Sequence, residues 1–310
     1  MYVPCLILTR YNSNYTSFCC INFNEAGVIL IKRSTFISTI IIIFIIAILF
    51  LLYNKYENTV QVLTKPSLSL PVIMYHNVSK NSKLLGKYTI SQKEFEEDLI
   101  YLKNQGYTTV GIEDLIAYEY NNINLPENPI MLTFDDGYFN VYRYVLPILK
   151  KYDSKAVVSI IGEYVDKSSK SLYSDPYLNW TQINELIDSK YIEIQNHTYS
   201  MHTLNNRQGC RIMNDESYEE YKEAILKDIG KFQLLIKEKT GYTPKAFTYP
   251  YGFSCKECNK ILKDMGFLTT ITCNIGINYL YGNSDELYEL KRINRPSGIN
   301  QVSFFAQFKD

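Results

Sequence analysis

This 310-residue sequence has little histidine, little tryptophan and no excess of either charge. It contains three histidines and one tryptophan, and its 32 basic residues balance its 32 acidic residues. A balanced charge gives no electrostatic basis for binding a polyanion, so we expect no nucleic-acid partner. With 46% hydrophobic and 21% charged residues, the composition is that of a globular chain with a core. Because histidine is so scarce, the positions of His76, His197 and His202 are informative.

Cysteine is present but follows no clear framework. There are seven cysteines, and an odd number cannot all pair within one chain. Cys255 and Cys258 form a single Cys-x-x-Cys, which is compatible with a redox pair, half of a zinc site, a local disulfide or two plain thiols. No second Cys-x-x-Cys stands at zinc-site spacing, so a local disulfide or plain thiols are favoured. The others are dispersed: Cys5, Cys19, Cys20, Cys210 and Cys273.

A long apolar run near the N-terminus predicts a transmembrane helix over residues 34–54. Roughly 20 apolar residues span a bilayer as a helix, and a buried core helix is rarely apolar on every face for so long. A cleavable signal peptide is the other alternative, but no small-x-small cleavage site follows the run. Lys32 and Arg33 precede it and favour a cytoplasmic N-terminus, although Lys55 on the far side weakens that bias.

The run therefore predicts a signal anchor in the cell membrane, with the C-terminal part outside the cytoplasm. Residues 1–33 are interpreted as a cytoplasmic tail or as the product of an over-extended start site. Residues 55–70 are polar and contain Pro66, so we expect them to be a linker. Residues 71–310 then form the remaining domain.

From Pro71 onward, short apolar runs alternate with helical patterns. This alternation predicts a parallel sheet with covering helices, most simply an α/β barrel. Ser91 with Glu94 and Asn179 with Gln182 are capping-box patterns at helix starts. The predicted strands are listed here: Val72–Tyr75, Tyr107–Val110, Ile130–Phe134, Ala156–Ile161, Tyr191–Gln195, Ala246–Tyr249 and Leu268–Thr272. The predicted helices begin at Ser91, Ile112, Tyr138, Asn179, Asp215 and Lys256.

Chemically capable residues follow the carboxyl ends of several predicted strands, which is where barrel active sites are built. Asp135-Asp136-Gly137 ends the Ile130–Phe134 run, and alone it would be an ordinary Asp-Gly turn. His197 and His202 are five residues apart, about 140° on a helix, so binding one ion needs a non-helical turn. Two histidines and one carboxylate with an open position make a catalytic metal site of zinc type.

Three motifs carry a family resemblance. Thr133-Phe-Asp-Asp-Gly137, His197-Thr-x3-His202 and Tyr249-Pro-Tyr-Gly252 resemble those of the polysaccharide deacetylases with a NodB-homology domain, carbohydrate esterase family 4. The five-residue histidine spacing and the early Pro71-Val-Ile-Met-Tyr-His76 resemble the exported poly-N-acetylglucosamine deacetylase subgroup. The resemblance covers roughly residues 71–300 and implies a distorted (β/α) barrel of NodB-homology type.

The resemblance also implies a role for each matching residue. Asp136, His197 and His202 would bind a divalent metal, with zinc expected and cobalt, nickel or iron as alternatives. Asp135 would be the general base that takes a proton from the attacking water. The backbone N–H of Tyr251 would help to hold the oxyanion. His76 would protonate the departing amine, and its alternative is a plain core or surface histidine.

The sequence departs from the family pattern in one place. The motif before Pro250-Tyr251 usually begins with an arginine that orients the base, and here that position is Thr248. Arg292 or Arg295 would supply the charge, unless they belong to a solvated basic run. Trp180 resembles an aromatic residue that lines the family's substrate cleft with Pro250 and Tyr251, and its alternative is packing at a helix start.

These observations predict a metal-dependent enzyme that removes N-acetyl groups from N-acetylglucosamine in a cell-surface polysaccharide and releases acetate. Peptidoglycan and poly-N-acetylglucosamine are both candidate polymers. An O-acetyl polysaccharide esterase is one alternative, and a non-catalytic glycan-binding module on the same fold is another. The expected partners are the polysaccharide and, through the N-terminal helix, the membrane. Nothing implies a protein partner.

Overall fold

The structure is a computed structural model that describes residues 18–21, 29–64, 67–171 and 176–308. The chain divides into two compact units, Met1–Thr64 and Lys65–Asp310, and each is described by itself. The expected cytoplasmic tail lies mostly outside the described residues.

The first unit contains a strand pair and one long helix. Strands β1 (Phe18–Ile21) and β2 (Ile29–Lys32) pair antiparallel, and helix α1 runs over Arg33–Thr64. Within α1, Ile37–Tyr56 is a 20-residue segment of mean hydropathy 2.7 with exposed side chains. At 1.5 Å per residue it is about 30 Å long, the thickness of a bilayer's hydrocarbon core. By length and composition, α1 is able to cross a membrane.

The described parts of the expected linker, residues 55–64 and 68–70, have regular structure. Helix α1 continues to Thr64, and strand β3 (Leu68–Leu70) pairs antiparallel with Asn278–Leu280. The composition of residues 55–64 is polar but contains no helix breaker. The partner of β3 lies about 200 residues away in sequence, so local patterning carries no sign of this strand.

The second unit alternates strands and helices, as predicted. Its further strands are β4 (Val72–Tyr75), β5 (Asn77–Ser79), β6 (Thr89–Ser91), β7 (Thr108–Thr109), β8 (Pro129–Phe134), β9 (Ala156–Ile160), β10 (Ile192–Asn196), β11 (Ala246–Thr248), β12 (Thr269–Ile271), β13 (Asn278–Leu280) and β14 (Ile293–Asn294). Its helices are α2 (Gln92–Asn104), α3 (Ile112–Asn121), α4 (Leu146–Lys151), α5 (Gly162–Lys170), α6 (Trp180–Asp188), α7 (Tyr218–Ile225), α8 (Lys231–Thr240), α9 (Lys256–Asp264) and α10 (Gln301–Phe305).

The main sheet is parallel and curled. Its strand order is β12-β11-β10-β9-β8-β4-β14, with β7 also paired to β8. Its two ends approach each other at an isolated parallel bridge between Ile271 and Leu290. The predicted barrel is therefore a curled half-barrel among the described residues, since a single bridge takes the place of a full ladder between its ends.

Strands at the middle of the sheet are buried on both faces. In β8, Ile130, Leu132 and Phe134 join one apolar cluster while Met131 joins another. This is the reason that these strands appear in the sequence as continuous apolar runs instead of alternating ones.

The helix boundaries confirm the capping signals and differ at two places. Ser91 and Asn179 form complete capping boxes at α2 and α6. The helix expected over Tyr138–Lys151 is present from Phe139, and a π-helical turn, Val141–Val145, interrupts it before α4. The long helix expected from Asp215 begins at Tyr218, and a second π-helical turn, Leu226–Gly230, separates α7 from α8. Cys210, Cys255, Cys258 and Cys273 carry free thiols.

Candidate active site

The two adjacent aspartates turn away from each other at the carboxyl end of β8. Asp136 has φ 69° and Gly137 has φ 72°, so the chain leaves the strand through the left-handed region. A Cβ on Gly137 would lie 2.9 Å from Cγ2 of Ile160, which excludes larger residues there. This tight turn places Asp135 among buried groups and Asp136 toward the loop that follows β10.

That loop carries the two histidines, and its conformation brings their rings together. His197 follows β10, and its Nδ1 lies 2.6 Å from the carbonyl oxygen of Thr248 at the end of β11. Thr198 has φ 72°, an unusual conformation for a β-branched residue, and supplies the predicted non-helical turn. The ring centroids of His197 and His202 are 4.9 Å apart. Five-residue spacing therefore does not prevent the imidazoles from meeting.

Three electron-pair donors converge at this point. Oδ1 of Asp136 lies 3.7 Å from Nε2 of His197 and 3.5 Å from Nε2 of His202. Because Nδ1 of His197 donates its proton to Thr248, its Nε2 presents a lone pair to the carboxylate. Tetrahedral zinc with bonds of 2.0–2.1 Å places its ligand atoms about 3.3 Å apart. The donor set and its spacing therefore fit a small divalent cation.

The ionisation of these groups also suits a cation. Burial lowers the pKa of His197 to about 3, so its imidazole is neutral, as a metal ligand must be. Burial and the neighbouring Asp135 charge raise the pKa of Asp136 to about 7. Two adjacent carboxylates are costly to ionise together unless positive charge compensates them. The charge of Arg292 and, to a smaller extent, hydrogen bonding by Tyr138 oppose the rise in the pKa of Asp136.

Asp135 is oriented by Arg292, the first of the two candidate arginines. Nη1 and Nη2 of Arg292 donate to Oδ1 and Oδ2 of Asp135, each at 2.8 Å, in a bidentate contact. Its Nη1 also donates to Oγ1 of Thr133, and its Nε to the carbonyl of Thr272. Burial opposes ionisation of Asp135, but the Arg292 guanidinium holds the pKa of this carboxyl below its ordinary value.

Arg295, the second candidate, lies elsewhere. Its Nε and Nη2 donate to the carboxylate of Asp98 at 2.9–3.2 Å, and the Tyr75 hydroxyl donates to the same carboxylate. Both arginines are 1% exposed, so neither belongs to a solvated basic run. Arg292 precedes β14 and Arg295 follows it, and an odd spacing along extended backbone directs the two side chains to opposite faces. Arg292 contacts the predicted base, and Arg295 does not.

Thr248, at the position where an orienting arginine was expected, serves the site through its backbone. Its hydroxyl shares a 2.7 Å hydrogen bond with Oγ of Ser159, and its carbonyl accepts from His197. The guanidinium that contacts Asp135 comes from Arg292, directly before β14, and not from this position.

His76 follows Tyr75 at the end of β4, and the Tyr75 carbonyl oxygen accepts from the N–H of Asp135 at 3.1 Å, so His76 lies at the same end of the sheet as Asp135. Burial lowers its pKa, while the Asp135 charge opposes that shift. Its ring packs against Tyr88 with centroids 4.7 Å apart, and its buried Nδ1 has no hydrogen-bond partner among the described residues. A lowered pKa makes the imidazolium a stronger proton donor. The structure thus places this histidine within the electrostatic reach of the base.

The Pro250-Tyr251-Gly252 turn lies beside His202. Tyr251 has φ 57° and stands 38% exposed, and its ring lies 4.5 Å from that of His202. Pro250 is buried, and Gly209, in the segment after His202, packs against it. A Cβ on Gly209 would be 3.1 Å from the Pro250 carbonyl oxygen. Tyr251 therefore presents its side chain beside the metal-ligand candidates.

Trp180 is placed as a packing residue at the start of α6, its alternative interpretation. Its Nε1 donates to Asp166 at 3.0 Å, and its ring packs near Phe232. In the described part of the chain, the hydrogen bonds and ring contacts of Trp180 do not include Asp136, His197 or His202. Sequence reasoning missed Tyr138, whose position directly after Asp135-Asp136-Gly137 was the available signal.

Comparison with known proteins finds similar sequences and folds. A family model described as polysaccharide deacetylase matches residues 122–270. The chain is 26% identical over 250 residues to the poly-β-1,6-N-acetyl-D-glucosamine N-deacetylase of Escherichia coli K12, covering 73% of this chain and 37% of that protein. The chain therefore spans little more than a third of the length of that relative.

Solved structures agree in fold. The structure of IcaB from Ammonifex degensii has a TM-score of 0.63 and 26% identity, covering 77% of this chain and 97% of that one. The Streptococcus pyogenes deacetylase PplD has a TM-score of 0.66 and 20% identity, covering 79% of this chain and 100% of that one. With the motifs at the strand ends, these likenesses identify a polysaccharide deacetylase domain of NodB type in this chain, matched by the family model over residues 122–270.

Proposed function

We propose that this protein is a metal-dependent polysaccharide N-deacetylase that hydrolyses N-acetyl groups of N-acetylglucosamine units and releases acetate. The observation that carries the proposal is the bidentate contact between Arg292 and Asp135 beside the converging Asp136, His197 and His202. A buried, ionised and oriented carboxylate next to a cation site is the arrangement that general-base hydrolysis requires.

The two aspartates have separate tasks in this proposal. Asp136, His197 and His202 hold the divalent metal, zinc being the expected ion. When bound, the metal supplies Lewis-acid polarisation of the acetyl carbonyl and lowers the pKa of water. Asp135, fixed by Arg292, accepts the proton of the attacking water.

Proton delivery falls to His76. Its position near Asp135 puts an acid and a base within one small site, and the imidazolium donates to the departing amine nitrogen. The N–H of Tyr251, in its left-handed turn, donates to the developing oxyanion. The exposed ring of Tyr251, with Pro250 behind it, contacts the sugar.

The substrate class follows from chemistry and likeness together. The E. coli relative is named for poly-β-1,6-N-acetyl-D-glucosamine, and we infer the same class of polymer here, with peptidoglycan as the other candidate. The apolar segment Ile37–Tyr56 suits a signal anchor, which would hold the catalytic domain outside the cytoplasmic membrane near an insoluble polymer.

The test uses the full chain purified in detergent and supplied with zinc. Acetate release is measured from poly-β-1,6-N-acetylglucosamine oligomers, from peptidoglycan and from O-acetylated xylan. We expect release from at least one N-acetyl polymer and little from the ester. Asp135→Asn and His76→Ala should each lower turnover at least about 100-fold, as loss of a general base or acid does.

Asp285→Asn is the matched control, since Asp285 pairs with Lys263 on an exposed surface. It should retain full turnover. Preferential ester hydrolysis would favour an O-acetyl esterase, and zinc and glycan binding without any acetate release would favour a non-catalytic module. Either result overturns the proposal.

A further inference from the structure

We infer that Asp228 is a positioning residue that fixes the loop between the two histidine ligands, an inference that rests on the proposed metal site. Asp228 lies in the second π-helical turn, Leu226–Gly230, and is 7% exposed. Asp228 lies outside the three sequence motifs. Among the described residues, its side chain makes no hydrogen bond to Asp136, His197 or His202.

The carboxylate of Asp228 binds the middle of the loop through three donors. Its Oδ1 accepts from the backbone N–H of Tyr199 at 2.8 Å. Its Oδ2 accepts from the backbone N–H of Ser200 at 2.9 Å and from the Ser200 hydroxyl at 2.7 Å. Within the described part of the chain no ion pair involves Asp228, so its acceptor capacity is directed at this loop. A buried carboxylate is tolerated where several donors satisfy it.

Further backbone groups in the first half of the loop are also bound. The Thr198 N–H donates to Oδ1 of Asn196, and its carbonyl accepts from the N–H of Gly162. The Tyr199 carbonyl accepts from the N–H of Glu163. The start of α5 therefore holds the loop's carbonyls, and Asp228 holds its N–H groups.

The π-helical turn adds a second tie at the same place. Nδ2 of the fully buried Asn196 donates to the carbonyl of Ile229, the residue after Asp228. Asn196 precedes His197 directly. The turn thus binds the Asn196 side chain directly before the first histidine and the backbone in the middle of the loop. π-Helical turns often occur at functional positions.

This anchoring explains how histidines five residues apart can bind one ion. Thr198 adopts a positive φ that costs free energy in a β-branched residue, so the loop conformation needs external support. Asp228 supplies that support from outside the ligand set. Without it, the loop has more conformations, and His202 must be ordered each time an ion binds.

The experiment compares zinc affinity in the full chain and in three variants, by competition with a chromogenic chelator. Asp228→Asn is expected to weaken zinc binding about 10–100-fold, the usual effect of losing a group that orients metal ligands. An asparagine is isosteric, but its amide nitrogen cannot accept from an N–H. Ser200→Ala removes only one of the three hydrogen bonds and should weaken binding less than Asp228→Asn.

Asp166→Asn is the matched control. Asp166 also binds Tyr199, but through the side-chain hydroxyl at 3.0 Å, and it accepts from Trp180 as well. Its loss should leave zinc affinity within about threefold, because the loop backbone keeps its partners. Equal weakening in Asp166→Asn and Asp228→Asn would overturn the proposal.

Backbone amide exchange in the metal-free chain gives a readout that needs neither metal nor activity. In Asp228→Asn, protection should fall at Tyr199 and Ser200 while core strands keep theirs. If Asp228→Asn does not fold, Ser200→Ala still decides the question, since unchanged exchange at Ser200 and unchanged zinc affinity would contradict the inference. Acetate release by the unaltered chain tests the proposed function separately, so the two failures are distinguishable.

Discussion

Replacing Arg292 should abolish turnover, whereas replacing Arg295 should not, although the two changes cost similar stability. Arg292→Met removes the bidentate partner of Asp135 and leaves a buried carboxylate uncompensated. Breaking a buried ion pair by removing one member typically costs about 3–5 kcal/mol of the free energy of unfolding. Arg295→Met removes the partner of Asp98, another buried carboxylate, and should cost a similar amount.

The catalytic consequences differ because only Asp135 is the proposed base. A misplaced or protonated base loses the factor of roughly 10²–10⁴ that general-base catalysis contributes, which corresponds to about 3–5 kcal/mol of activation free energy. We therefore expect kcat to fall at least about 100-fold in Arg292→Met, with KM changed little. Arg292→Lys keeps the positive charge but not the planar guanidinium that binds both carboxylate oxygens. Its kcat should lie between those of the unaltered chain and Arg292→Met.

The assay is steady-state acetate release at a temperature where circular dichroism shows each variant to be folded. Denaturant unfolding of the same preparations gives the stability change, so that loss of fold and loss of chemistry are separated. Retention of kcat within about threefold in Arg292→Met would refute the reasoning. An equal loss of kcat in folded Arg295→Met would refute it as well.

Three further outcomes are expected. Burial raises the pKa of Glu193 to about 7, so the folded state holds this proton more tightly than the unfolded state. The free energy of unfolding should therefore decline as pH rises from about 4.5 to 7, by roughly 3 kcal/mol at most. Denaturant titrations of Glu193→Gln should show no such decline. A Cβ at Gly252 would lie 2.5 Å from the backbone nitrogen of Cys273, whereas a Cβ at Gly241, where φ is similar, would have nothing within 4 Å. Gly241→Ala should therefore cost about 1 kcal/mol, and Gly252→Ala should destabilise the protein more. Adding zinc at 100 times its dissociation constant to the chelated chain should raise its stability by about 2.7 kcal/mol, and an unchanged melting curve would exclude a folded-state metal site.

Much of the architecture could be predicted because its determinants are local. Buried parallel strands appear as apolar runs, and the capping boxes at Ser91 and Asn179 mark helix starts by residue type alone. The polar residues directly after those strands could be assigned to one edge, since parallel strands direct their carboxyl ends to the same side. This placed the two aspartates and the two histidines at one site, and the family resemblance then implied Asp136, His197 and His202 as the metal ligands.

What could not be predicted depends on pairing across the chain. Arg292 and Asp135 are 157 residues apart, and β14 beside Arg292 is only two residues long, too short to leave a hydrophobic pattern. The sequence therefore left Arg292 and Arg295 as equal candidates. Likewise, Asp228 lies inside an apparently regular helix, and nothing in the 3.6-residue period announces a π-helical turn.

The closure of the sheet was overestimated for a related reason. Alternating strands and helices indicate a parallel sheet but do not determine whether its ends form a full ladder. Here the ends meet only at Ile271 and Leu290 among the described residues. Strands β3 and β13 were missed because each is three residues long and the two pair over a long separation.

The division of labour between the adjacent aspartates is tested most directly by measuring bound zinc and acetate release in Asp135→Asn and Asp136→Asn. After dialysis against trace zinc, Asp135→Asn should retain about one zinc per chain and release no acetate, whereas Asp136→Asn should lose both, since it removes one of three protein ligands. Loss of zinc in Asp135→Asn, or retention of zinc with turnover in Asp136→Asn, would contradict this assignment.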